Sequence, residues 1–177
     1  MSGRISIAIT IAGQKMHVPV GTSLEDLKDR YQPQHKAKIV AAVVNGKLKE
    51  LTFTLQDDAH IEFLDLSSDD GQRIYVRSLS FLLIRAAQDL FPGGKIRIQH
   101  SLGNGLYIEF HGPRPLLSRD IPALKRHMRE MVKADFPFVK SRVPLPKARE
   151  ILRRQGQEDK VELLKYREKD YINMYEL

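Results

Sequence analysis

The chain has 177 residues, 42% of them apolar, no cysteine and a formal net charge of +7. This length admits one domain or two small ones with a real core, and the missing cysteines exclude disulfides and cysteine nucleophiles and fit a reducing, cytoplasmic setting. No apolar run approaches the ~18 residues of a membrane span, so no membrane partner is expected. The charge is uneven: residues 1–70 hold eight Lys/Arg against ten Asp/Glu, whereas residues 71–177 hold 21 against 12. A basic second half suits nucleic acid, nucleotides or an acidic partner, and equally a solvated surface.

In chain order, ISIAITIA alternates from Ile5 through a Gly13-Gln14 turn into residues 15–18, a hairpin signal and not a signal peptide. In GTSLEDLKDRY, Thr22 and Glu25 stand at capping-box spacing, and Leu24, Leu27 and Tyr31 form a short apolar stripe. IVAAVV over residues 39–44 reads as a buried strand closed by an Asn45-Gly46 turn, and Leu51-Thr52 and residues 60–64 read as short strands. This order is that of a β-grasp fold over residues 1–66. The polar run Ser67-Ser68-Asp69-Asp70-Gly71, where the charge balance changes sign, reads as a linker over residues 67–73.

The remaining residues, 74–177, read as a second α+β domain. RSLSFLLIRAAQDLFP, residues 77–92, is an amphipathic helix with Ser78 as its cap. Residues 95–101 and 106–111 flank Asn104-Gly105 as a second hairpin, and Ser118 caps a helix whose Ile121, Leu124, Met128, Met131 and Val132 face a core. Residues 136–143 are extended, a helix runs from about Pro146 to Gln155, Gly156 stops it, and residues 158–166 start again.

Several chemistries lack their motif. There is no GxxxxGK[ST] loop, no GxSxG, no HExxH and no CxxC. A two-residue Asn104-Gly105 turn places His100 opposite Glu109, with His111 lying diagonally on the same face. With no fourth protein ligand evident, that pattern reads as a polar sheet face, and no metal site or catalytic residue is assigned. Arg126, Arg129 and Lys133 line one side of the helix after Ser118, and Lys140, Arg142, Lys147, Arg149, Arg153 and Arg154 follow. The three helical cations are candidates for RNA binding; no interleaved aromatics support base stacking there.

Two stretches then point to known families. VPVGTSLEDL and VVNGKLKEL resemble a TGS domain, the β-grasp module at the front of threonyl-tRNA synthetases and some GTPases. DDGQRIYVRSLSFLLIRAAQDLFP, GNGLYIEF, ALKRHMREMVKADFPFVKSRVPLPKAREIL and EDKVELLKYREKDYINMY resemble, in order, the editing domain that follows it in those synthetases. In that family the helix opens HSxxH, and a later YxDMC and a further histidine complete a hydrolytic cluster. Here the histidine positions are Arg77 and Phe81, the acidic position is Asn173 and the cysteine position is Tyr175. The resemblance implies a remnant pocket formed by Arg77, Tyr107, Lys160 and Asn173, binding a ligand such as a nucleotide without catalysis. Some uridine kinase-type nucleoside kinases share this order ahead of their kinase domain. The expectation is therefore a non-catalytic regulatory or ligand-binding front region of such a kinase, truncated at its C-terminus. ATP and magnesium belong to the kinase domain of the same full-length chain, and this part carries no cofactor. The alternatives are an RNA-binding module or an aminoacyl-tRNA editing domain of the threonyl-tRNA synthetase type.

Overall fold

The computed structural model describes residues 5–103 and 105–177. They form two compact units, the first ending at Leu82 and the second beginning at Leu83. The first holds β1 (Ser6–Ile11), β2 (Gln14–Pro19), α1 (Leu24–Tyr31), β3 (Ile39–Val44), β4 (Lys47–Lys49) and β5 (Ala59–Asp65). The sheet order is β2-β1-β5-β3-β4, with β1 parallel to β5 and the other neighbours antiparallel. This is the expected β-grasp order in an α+β chain.

Period-two alternation buries Ile7, Ile9 and Ile11 on one sheet face, where Leu24, Leu27 and Tyr31 of α1 join them. The Tyr31 and Phe63 ring centroids lie 5.7 Å apart. The first hairpin turns at Ala12-Gly13 rather than Gly13-Gln14, and Ala12, Gly13, Asn45 and Gly46 all have positive φ, as two-residue hairpin turns require. Asn45 adds a bond of its own, its Oδ1 accepting from the His60 N–H at 2.8 Å.

Three local expectations are corrected. The cap of α1 is Ser23, whose Oγ accepts from the Asp26 N–H at 3.1 Å while Asp26 accepts from the Ser23 N–H at 3.1 Å. Thr22 instead donates to the Pro19 carbonyl. The fourth strand is Lys47–Lys49, and Leu51-Thr52 lies in a turn. The expected linker is the start of a longer helix, α2 (Asp69–Leu90), so Ser78 lies inside the helix and caps nothing.

The physical reason for this early start is Asp65, a buried acidic residue at the end of β5. Its carboxylate accepts from the Ser67 N–H at 2.8 Å and the Ser67 hydroxyl at 2.5 Å, and lies 3.1 Å from His35 Nδ1. The Ser68 hydroxyl donates to the Asp65 carbonyl and accepts from the Gly71 N–H, capping α2. Asp69 and Asp70 then sit in the first turn, where the helix dipole favours negative charge.

The second unit takes the turns of α2 from Leu83, then β6 (Lys95–Leu102), β7 (Gly105–His111), α3 (Ile121–Ala134), β8 (Val139–Pro144), α4 (Leu145–Arg154), α5 (Glu158–Leu163) and β9 (Tyr171–Glu176). β6 pairs with β7 and β8 with β9, both antiparallel. Ala86, Ala87 and Leu124 are buried, with Leu83, Phe91, Ile96, Leu116, Met128 and Met131 packed against them. Ile121 and Val132 are exposed, against expectation, because they flank the stripe that Leu124, Met128 and Met131 define. Ser118 opens a short 3-10 turn, and the bond anticipated from it is made by Asp120, which accepts from the Leu117 N–H and from both arms of the Arg114 guanidinium. The paired Arg114 holds the Asp120 carboxyl down to about 2.

The β6–β7 register is also corrected. Leu102 pairs with Gly105, and a bulge between Ile98 and His100 shifts the ladder. His100 therefore faces Tyr107 and Glu109 faces Arg97. Of the anticipated Asn104-Gly105 turn, Asn104 lies outside the described residues.

Hydrogen bonds from Ser67 hold the Asp65 carboxyl down to about 2, against an ordinary value of 3.8. The stabilisation is complete above about pH 4 and lost as pH falls through the folded value. The urea midpoint of the parent should therefore exceed that of Asp65→Asn at pH 6, and the gap should close between pH 4 and 2. A Cβ at position 71 would lie 2.0 Å from the Asp65 carbonyl oxygen. Gly71→Ala should cost about 1–3 kcal/mol, the usual scale of overpacking, in equilibrium urea unfolding.

Candidate functional site

The four residues expected around a remnant pocket are dispersed over several elements. Arg77 is exposed on α2 within the first unit. Tyr107 is on β7, stacked on His100 with ring centroids 5.2 Å apart. Lys160 is exposed on α5, and Asn173 is exposed on β9 opposite Arg142. The second unit has a cleft of about 310 Å³, lined by Arg142, Pro144, Asp170 and Tyr171 and by none of those four.

The β8–β9 ladder brings together residues that sequence reasoning left apart. Lys140 pairs with Tyr175, Arg142 with Asn173 and Pro144 with Tyr171. Directly opposed residues share a face, and alternate positions repeat it. One face of the ribbon thus carries two cations, two tyrosines and an amide. The Arg142 guanidinium lies 3.4 Å from the Tyr171 ring centroid, and Lys140 Nζ lies 5.5 Å from that of Tyr175. The cations and rings sit about 30 positions apart along the chain, and only the pairing interleaves them. Tyr171 and Tyr175, four positions apart on one strand and facing a strand with alternate cations, were the available signal.

The α3 cations keep their expected geometry. Arg126, Arg129 and Lys133 are exposed, while Leu124 is buried and Met128 and Met131 pack beside it. Arg126 reaches Glu130 only at 4.0 Å. Between α3 and the end of α2, His127 Nε2 lies 3.0 Å from Asp89 and its Nδ1 lies 3.6 Å from Glu130, while Arg85 pairs with the other oxygen of Asp89. The hydrogen bond to Asp89 pushes the His127 imidazole above its ordinary value, and the same bond lowers Asp89. On α4, Glu150 pairs with both Lys147 and Arg154, which partly neutralises that stretch of the basic run.

On the β6–β7 ribbon the expected His100–Glu109 pair does not form. Glu109 instead accepts from Gln99 Nε2 at 2.7 Å and lies 3.3 Å from His111 Nε2. Among the described residues no group of three or more His, Cys, Asp or Glu side chains could hold a metal ion. Among them, too, no helix is long and apolar enough to cross a membrane.

No protein-family model matches the chain. Individual proteins do. It is 30% identical over 169 residues to the threonine–tRNA ligase of Nitratidesulfovibrio vulgaris, covering 94% of this chain and 26% of that ligase. It is 26% identical over 164 residues to the threonine–tRNA ligase of Symbiobacterium thermophilum, covering 92% of this chain and 25% of the ligase. The threonine–tRNA ligase of Finegoldia magna is 29% identical over 139 residues, 78% of this chain and 22% of the ligase. The chain is threonyl-tRNA ligase-like over most of its length. It spans about a quarter of the length of the curated relatives it matches.

In this ligase-like chain the His127 pair ties α3 to α2. Because its imidazole is raised, the stabilisation it provides is complete below about pH 6.5 and is lost as pH rises through the folded value. The stability advantage of the parent over His127→Gln should shrink between pH 6 and 8. Thermal melts at a series of pH values, with an NMR titration of His127, check this.

Proposed function

We propose that the chain is a non-hydrolytic, RNA-binding module of the threonyl-tRNA synthetase type. The observation that carries this reading is the α3 row of Arg126, Arg129 and Lys133, exposed above a packed Leu124–Met128–Met131 stripe. Packing on one side fixes which way the helix faces, so the three cations are presented together to the phosphates of a ligand. The likeness to threonine–tRNA ligases supports RNA as that ligand.

Hydrolysis is a different matter. By resemblance, the family's reactive positions fall at Arg77, Phe81 and Tyr175. The Arg77 guanidinium offers only donors and cannot serve as a base, and the Phe81 ring has neither a donor nor an acceptor. Tyr175 lies beside Lys140 on the ribbon rather than presenting a thiol.

A second reading, the front region of a uridine kinase-type nucleoside kinase, is favoured by the same three replacements. In that reading ATP and magnesium are held by a kinase domain elsewhere in the polypeptide, and a GxxxxGK[ST] motif in the remainder of the encoding gene is its test.

Two outcomes are expected. Changing Arg126, Arg129 and Lys133 together to Glu should weaken binding of a structured RNA in fluorescence anisotropy. The slope of log affinity against log salt should become shallower by roughly 0.7–0.9 for each phosphate contact removed. Exposed charges contribute within about 0.5 kcal/mol each to the fold, so the melting temperature should barely move; equal binding by parent and variant would reject the α3 reading. Ser- or Thr-charged tRNA should be deacylated no faster by the chain than by buffer.

A further inference from the structure

We infer that the cleft beside the second half of β5 is a slot for one added strand, and that it takes an extended peptide in which an apolar residue is followed by Lys or Arg. The slot lies within the first unit and is independent of the α3 cations.

Strands of unequal length create it. β1 runs parallel to β5, and their pairing ends at Ile11–Ile61 because the chain turns back at Ala12-Gly13 into β2. β5 continues to Asp65, held from its other side by β3. From Glu62 onward, β5 is therefore the edge of the sheet on the side that β1 has left. His60 fixes the direction of the backbone groups along that edge. Its N–H donates to Asn45 Oδ1 and its carbonyl accepts from the Asn45 N–H, both on the β3 side. Successive residues of a strand turn their N–H and C=O to opposite sides. Those of Phe63 are thus directed to the β1 side, beyond the last β1 pair. The Asp65 carbonyl, next in that series, is taken by the Ser68 hydroxyl, which ends the free edge.

A cleft of about 370 Å³ lies at this position. Ile61 and Phe63 line it from the α1 face of the sheet, and His60 and Glu62 line it from the opposite face. A cavity inside the core would be lined from one face only; lining from both is what a vacant strand position leaves. Addition of a peptide strand to such an edge combines main-chain hydrogen bonds for attachment with side-chain contacts for selectivity.

The two faces set the chemistry of the occupant, because an extended segment alternates its side chains between them. On the α1 face the floor is built from the Tyr31 and Phe63 rings, which suit an apolar side chain. On the opposite face Glu62 is exposed and forms no ion pair among the described residues. A Lys or Arg at the next position of the peptide meets it. The wider field has the same sign, since residues 1–70 hold ten Asp/Glu against eight Lys/Arg.

The test titrates the full chain with a fluorescent hexapeptide of alternating valine and lysine, followed by anisotropy and by amide NMR. The peptide should bind saturably, shift the Ala12, Gly13 and Phe63 amides and slow deuterium exchange at Phe63. Methylating the nitrogens of all valines or of all lysines blocks one edge of the peptide or the other. One of the two sets should weaken binding by roughly tenfold, the scale of a lost hydrogen bond, and the other far less. The same residues in block order should bind more weakly than the alternating peptide. Glu62→Lys should lose about two- to fivefold, the scale of an exposed ion pair, and should favour a peptide of alternating valine and glutamate; Glu62→Gln serves if the lysine variant is unfolded. No saturable binding, equal effects of the two methylated sets, equal affinity for alternating and block peptides, or unchanged affinity in a folded Glu62 variant overturns the slot.

Discussion

A buried carboxylate at the end of the central strand organises the corner at which the sheet ends and α2 begins. Asp65 draws in the N–H and hydroxyl of Ser67, stands beside His35, and offers its own carbonyl to the cap residue of α2. A buried acidic group with one missing partner is costly, so the surrounding groups act as a set. They end β5, start α2 at Asp69 and fix the phase of that helix. Gly71 belongs to the same corner, because no side chain fits between it and the Asp65 carbonyl.

The positions at which the ligase resemblance would place a hydrolytic cluster carry other side chains here. Arginine and phenylalanine on a helix, and tyrosine with asparagine on a strand, supply neither an imidazole nor a thiol. They do offer charge, planes and amide hydrogen bonds, which suit binding. The β8–β9 ladder shows how this works locally, since each side chain of one strand is placed against a chosen neighbour of the other.

Much of the first unit was legible because its signals are local. Alternating isoleucines, the Asn45-Gly46 pair and the Leu24–Leu27–Tyr31 stripe each specify structure within a few residues. Where neighbouring residues compete for a role, the reading slipped: Ser23 rather than Thr22 caps α1, because Asp26 is there to complete the box. The polar residues before α2 read as a linker because a cap and a linker draw on the same amino acids, and only the buried Asp65 distinguishes them. In the second unit the decisive facts are non-local. A bulge at Ile98–His100 turned His100 away from Glu109 toward Tyr107, and a two-strand pairing set Arg142 against Asn173. Neither bulge nor pairing leaves a mark in a single stretch of sequence. The exposed side of α3 was legible because helical periodicity alone places Arg126, Arg129 and Lys133 opposite the packed stripe.

The small size of the side chains buried in the second unit has a further consequence. Ala86, Ala87 and Ala148 are fully enclosed, alongside Leu124, Leu152 and Val161, whereas the first unit encloses isoleucines, leucines and aromatic rings in one continuous cluster. Alanine burial permits close approach of backbones but removes little apolar surface from water. Local opening should therefore be easier in the second unit than in the sheet of the first. Amide protons of α3, β8 and β9 should exchange with deuterium sooner than those of β1, β3 and β5, and the elements that carry the charged and aromatic surfaces are also those best able to adjust around a ligand.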